Sequence, residues 1–214
     1  MKLNYESGWM QTLTWLANLL IVNVCFVIGC LPLVTIGTSV CAAFAACLKM
    51  ADGTQSGLIQ EFWKSYKASL KNGILLELFI LFFVWCLWLN WQIAFRLQDP
   101  PLAASLCLVG GCVLLAVHTL YAFALEARYS NSLYRQLINS RKLCQRFFLR
   151  TLMLAVSLGL LYLLFVHTSP LLAYIGLFIG PALTIYTASS IVWPIFRQIE
   201  ADSMATDGFS VAGN

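Results

Sequence analysis

The chain has 214 residues, of which 60% are hydrophobic and 10% charged, with thirteen Lys and Arg against nine Asp and Glu. A soluble domain carries about a quarter charged residues, and the gaps between hydrophobic runs, at most about 25 residues against typical domains of about 100, leave no room for a soluble catalytic domain. The mean hydropathy of +0.81 matches instead an all-α polytopic membrane bundle, whose spans need about 20 apolar residues each.

The basic residues flank hydrophobic runs, so their expected partner is anionic lipid headgroups and not nucleic acid. The eight cysteines (Cys25, Cys30, Cys41, Cys47, Cys86, Cys107, Cys112, Cys144) fall within or beside apolar runs and are expected as free thiols. There is no CxxC pair, and His118 and His167 are expected near opposite membrane faces, so neither a metal nor a cofactor is predicted. Lys2 and Glu6 lead into an apolar stretch longer than a signal-peptide core, which predicts a retained first span.

Residues 7–48 carry no formal charge. As one helix they would reach about 63 Å, twice the hydrocarbon thickness, so the chain must turn back. Pro32 and Gly37 mark the break, giving spans at 13–33 and 37–50. The second is short and carries Ser39, Ala43 and Cys47 on one face, as closely packed membrane helices do. Over 58–71, Ile59, Phe62, Trp63, Tyr66 and Leu70 share one helical face, while Glu61, Lys64, Lys67 and Lys71 share the other. This pattern predicts an amphipathic helix on the cytoplasmic membrane surface, with Phe62, Trp63, Lys64, Tyr66, Lys67 and Lys71 at the lipid; a helix packed on its own protein is the alternative.

Further spans are expected at 73–95, 102–126, 147–166 and 171–194. A polar turn joins 96 to 101, and Ala103, Cys107 and Gly111 form a second small-residue stripe. A basic cytoplasmic segment at 127–146, a hairpin at His167 to Pro170, and a frayed tail at 197–214 complete the single domain. Six spans with both termini cytoplasmic place twelve of the thirteen Lys and Arg inside, leaving Arg96 outside. A five-span version, with the first two helices forming a re-entrant hairpin and the amino terminus outside, would move only Lys2 outward; six spans is the expectation carried forward.

Asn18-Leu19-Leu20-Ile21-Val22-Asn23, Leu31-Pro32-Leu33-Val34-Thr35-Ile36-Gly37 and Phe62-Trp63-Lys64-Ser65-Tyr66-Lys67 with Asn72 together closely resemble the YesL-like family of bacterial integral membrane proteins, as do Ala127-Arg128-Tyr129 and Gly180-Pro181-Ala182-Leu183 with Tyr186. The resemblance implies a compact helical protein of the bacterial inner membrane, often encoded beside sugar ABC uptake systems. It carries over no catalytic or binding residues. Thr38 and Ser39 stand where many relatives have a proline.

Polar groups inside spans are the functional candidates, because hydrocarbon offers them no other partner. Glu77 and Arg150 sit at similar depths and are expected to form a buried ion pair. His118 and Glu126, two turns apart, are candidates to line one cavity. Asn18 and Asn23 are expected to bond across helices, and Thr35 to cap the broken junction between Pro32 and Gly37. No nucleophile with an adjacent base, HExxH helix or phosphate loop is present, so an enzyme is not expected. Two classes remain: an accessory protein associated with a carbohydrate ABC permease, and a small carrier using the broken element with Glu77 and His118, for which so few polar residues point to a homo-oligomer.

Overall fold

The computed structural model describes residues 8–54, 56–96, 102–129, 133–167 and 170–211. Among them the chain forms eight α-helices and no strand: α1 Gly8–Gly29, α2 Ile36–Ala51, α3 Leu58–Ala68, α4 Leu70–Arg96, α5 Leu102–Arg128, α6 Leu133–Arg146, α7 Phe148–His167 and α8 Pro170–Val211. A 3-10 turn, Leu33–Thr35, joins α1 to α2. Five helices are long and apolar enough to cross a membrane, and α6 with α7, bent by 97°, adds a sixth only if the pair counts as one span. The all-helical polytopic bundle expected from composition is therefore present.

The structure corrects several boundaries. The first helix stops at Gly29, because the residue before a proline is steered away from helical backbone and the turn begins at once. Residues 197–211, expected to fray, continue α8 as helix through Val211. Pro181 and Pro194 lie inside that helix. Lys2 and most of the 96–101 turn lie outside the described residues, as do the side chains of Ala103, Cys107 and His167.

Contacts fix the direction of each helix. Tyr66 of α3 donates to the Gly29 carbonyl at the end of α1 (3.4 Å). Gly73 in the first turn of α4 lies against Thr38 of α2, its neighbour Asn72 donates to Glu126 of α5, and Arg128 pairs with Glu200 of α8. These groups share one end of the bundle, hereafter the basic end. Trp15 meets Tyr186 edge to face at 5.2 Å, in each helix 14 residues, or about 21 Å, before that end. Thus α1, α5 and α8 run toward the basic end, while α4 and α7 run away from it.

Helix α2 takes a different course. Its first turn touches Gly73 and Glu77, while Lys49 near its last turn shares a crevice with Ala127, Arg128 and Trp193. Those two ends of α2 are about 16 Å apart, whereas Glu126 and Arg128 are separated by about 3 Å along α5. The helix must cross the end of α5 steeply. Helix α3 folds back along it: Lys49 and Glu61 pair at 3.5 Å at one end, and Tyr66 reaches Gly29 at the other. Gly53 (φ 87°) and Gly57 (φ 71°) supply the left-handed backbone that the intervening turn requires. All but four of the 16 residues of α2 are buried. Its small side chains, Ala42, Ala43, Ala46 and Cys47, let α1, α3, α4, α5 and α8 approach it together.

Candidate functional site

The site grows from the break between α1 and α2. The Thr35 hydroxyl donates to the Gly29 carbonyl (3.0 Å) and the Pro32 carbonyl (2.8 Å), so it closes the end of α1 through acceptors that the turn leaves free. The first turn of α2 presents its own orphan N–H groups. Gly37 N–H donates to Glu77 Oε2 at 2.9 Å, a carboxylate at the positive end of a helix. Two glycines make this possible. A Cβ at Gly37 would lie 2.6 Å from the Gly73 carbonyl oxygen, and one at Gly73 would lie 2.8 Å from Thr38 Cα.

The expected Glu77–Arg150 ion pair is therefore absent. Equal depth along two helices says nothing about azimuth, and Glu77 faces α2. Arg150 stacks over Phe147 at 5.7 Å, and its Nη1 is buried without a hydrogen-bond partner. His118 and Glu126 are not brought together either. His118 Nδ1 is 2.7 Å from its own-helix Leu114 carbonyl, and the ring lines a crevice with Arg141 and Thr151 between α5, α6 and α7. Eight residues on, Glu126 has rotated toward α4 and accepts from Asn72 Nδ2 at 3.1 Å.

The lipid-facing assignment of 58–71 is corrected in part. Phe62 is fully buried and Trp63 and Tyr66 pack against the core, with Trp63 edge to face against both of the other rings, because the apolar face of α3 covers α2. The ammonium groups of Lys64, Lys67 and Lys71 remain on the exposed side. Of the helix 1 asparagines, Asn23 is buried and Asn18 Nδ2 is buried without a partner. Gly111 sits beside Leu87 of α4, so that part of its small-residue stripe serves the α4–α5 contact. The cysteines with described side chains are free thiols.

At the ends of α5 and α8 the structure adds residues that sequence reasoning did not pair. Arg128 Nε and Nη2 donate to both carboxylate oxygens of Glu200, at 2.8 and 2.9 Å, and the Tyr129 hydroxyl donates to Glu200 Oε1 at 2.7 Å. Burial and this bond to Glu200 push the Tyr129 phenol above its ordinary pKa. Arg128 also lies 4.6 Å over the Trp193 ring. Glu200 belongs to the segment expected to fray, yet Trp193, Phe196 and Glu200 recur at i, i+3 and i+7, the signal that would have extended the helix.

Around α2 these groups make a neutralised polar clasp. Its crevice, about 280 Å³, holds Lys49 and Arg128 against Asp52 and Glu61. Among the described residues no three His, Cys, Asp or Glu side chains gather as a metal site would require. The arrangement can hold helices together and can bind a group that carries both charges.

Residues 19–91 match the model of a family described as "Protein of unknown function, DUF624". The match covers about a third of the chain: the second half of α1, the turn, the α2–α3 hairpin and most of α4. Glu126, Arg128 and Glu200 lie beyond it. No curated protein matches the chain, and no solved structure does.

Proposed function

We propose that this chain is an accessory protein of the bacterial inner membrane that acts by docking other membrane proteins, and that it is neither an enzyme nor a carrier. The observation that carries this reading is the interior. Cys41, Ala43, Phe44, Phe62, Leu76 and Tyr121 fill it, and Glu77, the leading candidate for a transport group, is bound to the backbone of α2. A carrier built on an interrupted helix keeps its half-helix ends open to substrate; here a protein carboxylate occupies the one at Gly37. The resemblance to the YesL-like family directs the partner search to a carbohydrate ABC permease.

The same reading fixes an orientation. With α2 crossing the bundle end and not spanning, the passes are α1, α4, α5, α8 and the α7 arm of the bent pair, and α1 starts at the end opposite the basic loops. Eleven of the thirteen Lys and Arg then lie at the basic end, which faces the cytoplasm by the positive-inside rule, with Arg96 at the far end of α4. This favours five passes plus the α2–α3 hairpin over the six-pass expectation. An amino-terminal reporter should read as periplasmic; a cytoplasmic signal overturns the orientation.

Affinity purification in mild detergent with mass spectrometry tests the role. A stoichiometric permease subunit is the expected result. A chain that emerges alone and supports solute flux in proteoliposomes, lost on Glu77→Gln, would establish the carrier instead.

A further inference from the structure

The surface helix of this protein is α6. It meets α7 at 97°, so when α7 spans the bilayer α6 lies in the plane of the interface. Its sequence, LYRQLINSRKLCQR, contains four basic residues and no acidic one. Basic interfacial helices are attracted to anionic leaflets.

Between α6 and the ends of α5 and α8 is an open crevice of about 690 Å³. Lys142 and Arg146, one turn apart and therefore on one face, stand at it with Asn139; Leu125, Leu143 and Phe196 supply apolar wall. None of the residues lining it is acidic. Glu200, next to it in α8, binds Arg128 through two bonds, and the Arg146 guanidinium lies 5.6 Å over the Phe147 ring. Two cations beside an amide match a phosphodiester, and the apolar wall matches the glycerol and first acyl carbons of a lipid. A free phosphate would gain nothing from that wall.

We propose that this crevice binds the headgroup of an anionic phospholipid, with its phosphate at Lys142 and Arg146. The site is independent of the docking role above.

The test is native mass spectrometry of the full chain in detergent, titrated with phosphatidylglycerol and, separately, phosphatidylcholine. One phosphatidylglycerol per chain should be retained in preference to phosphatidylcholine. Lys142→Gln with Arg146→Gln should weaken retention about thirtyfold, equivalent to ~2 kcal/mol for two interfacial cations. Lys64→Gln with Lys67→Gln, which removes the same charge from the exposed face of α3, should leave it unchanged, and Lys142→Arg with Arg146→Lys should preserve it. Equal loss in the α3 variant, equal retention of phosphatidylcholine, or full competition by glycerol phosphate overturns the proposal. A photo-crosslinkable phosphatidylglycerol on the unaltered chain gives a readout that does not depend on a variant's folding. Label within 139–146 and 196–199 is the expected result, and label confined to other segments counts against the site.

Discussion

The basic end and the opposite half of the bundle are built on different terms. Around α2, 67% of the span residues are buried, against 11% along α4. At the basic end glycine backbones touch and four acids meet donors from other helices, although Leu31, Leu33 and Val34 of the α1–α2 turn stay exposed. Away from it Leu81, Phe82, Trp85, Trp88 and Leu114 point outward, and only lipid or another protein can cover them. Since lipid tails are as apolar as leucine, burying such a face gains little by the hydrophobic effect. The fold is therefore specified at one end, and the other is available for contacts.

The comparison breaks most sharply at its glycines. Gly73→Ala places a methyl 2.8 Å from Thr38 Cα and 2.9 Å from Thr38 N, atoms that cannot swing aside. We expect a loss of about 3 kcal/mol, the upper end for overpacking. Gly110→Ala in α5 meets nothing within 4 Å and should stabilise by about 0.5 kcal/mol through helix propensity. Unfolding midpoints of the two variants in the same detergent provide the check. If Gly73→Ala is as benign as Gly110→Ala, the close crossing of α2 and α4 is wrong.

Next in size is the Asn72–Glu126 bond. Asn72→Leu strands a carboxylate that is 6% exposed, at a cost of about 2 kcal/mol. Adding Glu126→Leu should recover part of that loss, because removing both polar partners costs less than orphaning one. A double variant less stable than Asn72→Leu would show that Glu126 has a role beyond this pair.

The Arg128–Glu200 pair should matter less, since both side chains are about a third exposed, 27% and 34%. Arg128→Gln and Glu200→Gln are each expected to cost about 1 kcal/mol, with a coupling of about 0.5 kcal/mol in the double-mutant cycle after screening by solvent. Additive losses would mean that Tyr129 and Trp193, not the carboxylate, hold Arg128 in place.

What the sequence disclosed follows from the same division. Apolar length and the Pro32 break place the apolar helices to within a few residues except at the far end of α8, because hydropathy and backbone chemistry are local, and leave α6 as a basic segment. The course of α2 was not legible, since a short helix dense in small residues reads alike whether it spans or crosses the bundle end. The face of α3 misled for a related reason: Phe62, Trp63 and Tyr66 suit a headgroup layer and a protein groove equally. Glu77 was recognised as a buried charge and given the wrong partner, because its true partner is a backbone N–H donor, which every residue but proline carries. Glu200 was missed by treating a polar stretch as the end of a helix.

The smallest expected effect on stability carries the most information about the outer half. Leu81 and Leu114 are 55% and 58% exposed, so Leu81→Ala and Leu114→Ala should each move stability by less than about 0.5 kcal/mol in detergent. Truncating a side chain more than half exposed removes little packing. Under the docking reading the same substitutions remove contact area from a partner helix, and recovery of the partner in affinity purification should fall while the unfolding midpoint stays in place. Substitutions in the clasp should do the reverse, lowering stability with recovery per folded chain unchanged. Loss of recovery that tracked stability in both halves would place the interface at the basic end and leave the outer face to lipid alone.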